Sequence, residues 1–89
     1  MKGLPRVARV FWLDALHYSE FESIEWLVKE ARPSELYSVG HILKMDKDVV
    51  LVAQELNISK GKARDTTVIN RKDVLRIEWL VTEPEKGEK

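Results

Sequence analysis

The chain contains no cysteine. Disulfide frameworks, thiolate nucleophiles and cysteine–metal sites are thereby excluded. It has no apolar run near the ~20 residues that a spanning helix needs. Its opening stretch, Met1-Lys2-Gly3-Leu4-Pro5, carries one basic residue and no uninterrupted apolar segment behind it, so no secretory leader is expected. These absences together make the cytosol the default expectation and a membrane role unexpected. Net charge is absent too, with 15 basic residues against 15 acidic ones. A surface that attracts nucleic acid everywhere is therefore ruled out. Glycine (4) and proline (3) are few, and no repeat or low-complexity block interrupts the chain.

The 89 residues suffice for one domain, and 44% of them are hydrophobic, too many for a disordered chain. A chain this short buries a modest fraction of its surface unless subunits add to it. Charge is uneven despite its zero sum. Asp14, Glu20, Glu22, Glu25, Glu30 and Glu35 outweigh Lys29 and Arg32 in one segment. Lys60, Lys62, Arg64, Arg71, Lys72 and Arg76 outweigh Asp65 and Asp73 in another. Complementary halves of this kind steer subunits together, and a local basic patch can meet phosphate.

Arg6–Asp14 is rich in β-branched and aromatic residues and reads as a strand apolar on both faces. Ser19-Glu20-Phe21-Glu22 fits a capping box, and Phe21, Ile24, Leu27 or Val28, and Ala31 recur at helical spacing. The spacing predicts a helix over about 20–32, stopped by Pro33 and placed to cover the outside of the first strand. Leu36–Met45 reads as a second strand, with Tyr37, Val39, Leu43 and Met45 on one parity and Gly40 at a bend. Asp46-Lys47-Asp48 is a turn, and Asp48–Leu56 a third strand that is either buried on both faces or meets another surface with its outer one. Asn57–Asp65 reads as a basic loop and Thr66–Ile69 as a short fourth strand. Asn70-Arg71-Lys72-Asp73 is a tight turn with 3₁₀ character. Val74–Val81 is a fifth strand with clean alternation. Residues 82–89 are expected to form a disordered tail. The fold class expected is mainly β with one helix: a single five-stranded, strongly bent small barrel over residues 1–81, with the helix inserted between the first and second strands.

Gly40, with Asp46 six residues on at the turn into the third strand, resembles the Sm-like family of small β-barrels. So does Ile69-Asn70-Arg71-Lys72-Asp73-Val74, with Ile77 at a later apolar position. The likeness spans Val7–Leu13 and Leu36–Leu80. An unrelated Src-homology-3-like barrel is the alternative. Membership would imply a homo-oligomeric ring that binds single-stranded RNA or DNA weakly through its turn rim. This chain departs from the family pattern where that function resides. Val50 stands at the family's base-contacting asparagine, Asn70 at its arginine with Arg71 one place later, and its glycine is gone. In these departures the chain resembles phage-type Sm-like proteins without an established role.

No enzyme motif is present, so catalysis is not expected. His17 and His41 share no metal-ligand spacing, and neither a metal nor another cofactor is expected. The nucleic-acid candidates are Lys47, Asn70, Arg71 and Lys72, on two turns that would converge at one end of the barrel. Lys60, Lys62 and Arg64 follow nearby in sequence. The competing reading is a non-catalytic assembly or adaptor module, phage-derived or otherwise, whose partner is protein. In either case the fourth and fifth strands would be edges, and edge-to-edge pairing of copies would close a ring.

Overall fold

Five segments rich in β-branched residues pair into one antiparallel sheet in the computed structural model, which describes residues 4–80. The elements are β1 (Val7–Asp14), α1 (Ile24–Glu30), β2 (Ser34–Met45), β3 (Val49–Asn57), β4 (Lys62–Asn70), a 3₁₀ turn (Arg71–Asp73) and β5 (Val74–Leu80). The sheet order is β4-β3-β2-β1-β5. It does not close on itself, so β4 and β5 are its two edges. The barrel expectation is met only at the coarser level of one small five-stranded antiparallel sheet with one helix. The tail at 82–89 lies outside the described residues.

β2 ties the sheet together by changing partners along its length. Ser34–His41 pair with β1, while His41–Met45 pair with β3. The change falls at His41, next to Gly40, which is buried and approaches β3 closely. A Cβ there would lie 2.5 Å from the Ala53 carbonyl oxygen and 2.9 Å from Val52 Cγ1. Only a residue without a side chain permits that approach. A register shift between Ile42 and Lys44 adds a bulge on the same strand.

Ile42 packs against the core, while Tyr37, Val39, Leu43 and Met45 are exposed. The core itself is small: Val10, Val50, Val52 and Ile69, with Trp12, Ile42, Val74 and Ile77 packed around them. Each fully buried aliphatic side chain contributes roughly 1.5–3 kcal/mol. Ser38 lies under Trp12 and accepts its indole N–H at 3.1 Å, so that polar group is satisfied inside the apolar layer.

Two sequence expectations are corrected. The helix begins at Ile24, not near residue 20. Its cap is Ser23, whose Oγ accepts the Trp26 amide at 3.2 Å. It buries no residue and so does not cover β1. The outside of β1 is covered instead by Arg76, which lies 3.8 Å from the Phe11 ring centroid, and by Tyr37. The expected loop at 57–65 is mostly strand. β3 and β4 continue as a hairpin to Asn57↔Lys62, turning through Gly61 at φ 62°.

Candidate functional site

The turns before β3 and after β4 are built by short polar side chains. Asp46 Oδ1 accepts the amides of Asp48 (2.8 Å) and Val49 (2.9 Å), while the Asp46 amide donates to the Val49 carbonyl at 3.0 Å. This is the side-chain mimicry of a turn that aspartate provides. The backbone amides of Val49 and then Asp48 hold the Asp46 carboxyl below its ordinary value, and Lys44, 3.5 Å from Oδ2, adds to the effect. Asp46 is thus engaged in holding the turn.

The second turn sits against the first. The Arg71 amide donates to the Asp48 carbonyl at 2.9 Å, and Asn70 pairs with Val49 across β3 and β4. Lys47, Asn70, Arg71 and Lys72 therefore share one rim, and all four are exposed. Among the described residues, Lys47 and Arg71 have no carboxylate partner, whereas Lys72 Nζ lies 3.6 Å from Asp73. Lys60, Lys62 and Arg64 are not part of this rim. They lie toward the far end of the β3–β4 hairpin, where Arg64 bonds Glu55.

The rim turns hold no aromatic residue, but pairing register brings one close by. β5 leaves the rim at Asp73 and carries Arg76 opposite Phe11, and Phe11 is opposite Tyr37 on β2. The Phe11 and Tyr37 rings lie 5.3 Å apart, and Tyr37 is exposed. Arg9 bonds Glu78 at 3.3 Å, and Glu78 also holds Arg76 at 3.0 Å. The row Arg76–Phe11–Tyr37 is an arginine–aromatic surface of the kind on which bases stack. Positions 11, 37 and 76 share no motif, so only the strand register reveals it.

Two concavities of about 720 and 390 Å³ flank the hairpin tip, where Leu56, Ile58 and Ala63 contribute to both. His41 Nδ1 lies 3.3 Å from the Pro5 carbonyl, which can only accept, so the ring proton sits on Nδ1. No group of three or more potential metal ligands occurs among the described residues. No family model, curated protein or solved structure matches the chain. No described helix is long and apolar enough to cross a membrane.

Proposed function

We infer that the chain works as an Sm-like, non-catalytic homo-oligomeric ring that offers its turn rims to single-stranded RNA or DNA. The observation that carries the ring reading is the pair of open edges. β4 and β5 terminate the one sheet, and each presents a strand side with no partner among the described residues. Such edges favour pairing with another chain, and pairing β4 of one copy with β5 of the next is head-to-tail. A ring would repeat each rim around one face. Repetition multiplies weak contacts through local concentration.

Lys47 and Arg71, which have no carboxylate partner among the described residues, supply phosphate contact, and the neighbouring Phe11–Tyr37 row supplies an aromatic face. Val50 is wholly buried and carries no amide, so sequence-specific base reading of the family type is not part of this proposal. Short oligonucleotides should bind in a salt-sensitive manner. Arg71→Glu combined with Lys72→Glu should abolish the shift while leaving the subunit count unchanged. Undiminished binding by that double variant would overturn the rim assignment.

The adaptor reading keeps one specific support, the exposed apolar residues Ile24 and Val28 of α1. A stable oligomer that binds no oligonucleotide even at low salt would favour it.

A further inference from the structure

The helix α1 is too short to hold itself together. Helices below about 12 residues are marginal in water without a surface to pack on, and α1 has seven residues with none buried. Phe21 is fully exposed, at 106%, and Ile24 and Val28 are each exposed to 79%. Trp26 meets Tyr18 edge-to-face at 5.9 Å, and only Leu27 in the helix is partly sheltered. An exposed apolar stripe of this kind marks a contact surface.

Its charge narrows the occupant. Glu20, Glu22, Glu25 and Glu30 make no ion pair among the described residues. Carboxylates around the stripe repel nucleic acid. They are also the wrong sign for an amphipathic helix on an anionic membrane surface. The fitting partner is an apolar groove with a basic rim, and the same chain carries one. The concavity of about 390 Å³ at the β3–β4 tip is lined by Pro5, Leu43, Leu56, Ile58, Ala63 and Lys62. Lys60 lies on the tip turn, and neither Lys60 nor Lys62 has an ion-pair partner among the described residues. No residue of α1 lines the groove of its own chain.

We propose that α1 of one copy docks in the β3–β4 tip groove of a second copy. Ile24 and Val28 of the helix, with Phe21 just before its cap, seat on Leu43, Leu56 and Ile58, while Glu22, also before the cap, and Glu25 face Lys60 and Lys62. The contact joins different surfaces of two identical chains and is therefore head-to-tail. It rests on the reading of the chain as a head-to-tail assembly and adds a second contact, separate from the strand edges.

Native mass spectrometry and sedimentation at low salt test it on the full chain. The wild type should run as a multiple of 10.3 kDa. Three double variants should each shift toward the monomer and raise the dissociation constant at least tenfold: Ile24→Asp with Val28→Asp, Glu22→Lys with Glu25→Lys, and Lys60→Glu with Lys62→Glu. The last two carry opposite reversals, so mixing them in equal amounts should restore the wild-type mass. A helix folded onto its own groove would make no such requirement on a second chain. Wild-type mass in all three variants, with dissociation caused only by Val68→Glu on the exposed edge strand, overturns the helix contact and leaves the ring standing. A monomeric wild type overturns both.

Discussion

Gly40 and Asp46 act through their smallest features, an absent side chain and a single carboxylate oxygen. Adding a methyl at Gly40 forces it against the Ala53 carbonyl, a backbone atom that cannot swing aside. Gly40→Ala should destabilise the fold by about 1–3 kcal/mol in denaturant titration, and unchanged stability would contradict its role as the pivot. Asp46 has a folded-state pKa below its unfolded value. Its contribution is therefore present in full above the ordinary aspartate pKa and fades as pH falls through the lower folded value. Asp46→Asn keeps an acceptor for both amides and should flatten that acid-side dependence. Asp46→Ala should lower the melting temperature at neutral pH. Both residues were legible in sequence, because glycine within an apolar strand and aspartate opening a polar turn each have a local physical cause. The facing of Tyr37, Val39, Leu43 and Met45 was not. Parity groups these four, but which parity of β2 meets the core depends on which partner each half of the strand meets.

Among the elements, β5 follows its sequence most closely. Arg76 and Glu78 alternate with Ile77 and Trp79 as the period demands, but the register shift at Phe11/Trp12 breaks the alternation at its start, where Val74 packs against the core and Leu75 is exposed. The helix and the β3–β4 hairpin do not follow so closely. Ser19 and Ser23 offer the same capping oxygen four residues apart. Phe21 finds no surface, so nothing offsets the entropy of ordering a first turn around it. The hairpin's outer half is polar, and polar strands carry no apolar alternation to read. Backbone pairing with turn support holds it, with the Asn57 side chain accepting the Lys60 amide at 3.2 Å. Core and helix should respond very differently to truncation. Ile69→Ala should cost about 2–5 kcal/mol, a large fraction of what so small a core supplies. Ile24→Ala, measured at a dilution where copies are separate, should stay within about 0.5 kcal/mol. A large loss from the helix variant in the isolated chain would mean that α1 packs on its own sheet.

At the scale of the molecule, more large apolar side chains are exposed than buried among the described residues. An isolated subunit of this kind is poorly covered, and association is the direct remedy. Hydrogen exchange offers a check independent of mass. Amides on the free sides of Thr66–Ile69 and Val74–Leu80 should gain protection as protein concentration rises through the assembly range. Protection that is independent of concentration would count against edge pairing. The two turns of the candidate rim were expected to meet, and the Arg71 amide on the Asp48 carbonyl joins them. The bases Lys60, Lys62 and Arg64 are close to that rim in sequence but lie along the hairpin toward its far end. Proximity along a chain is lost wherever an extended strand carries residues away at about 3.3 Å each.

Local chemistry settled what lies within a few residues: the apolar strand segments of β1, β2, β3 and β5, the polar turn closed by Asp46, the 3₁₀ turn at Arg71–Asp73 and the absence of thiol chemistry. These depend on propensity, spacing and composition, all of which a linear text carries. Pairing register decided the rest. It placed Arg76 over Phe11 beside Tyr37, turned Ile42 inward and left α1 without a surface to pack on. Such outcomes depend on contacts between residues tens of positions apart. They are set by which strands meet and where β2 changes partner, and the order of residues along the chain does not encode either one locally.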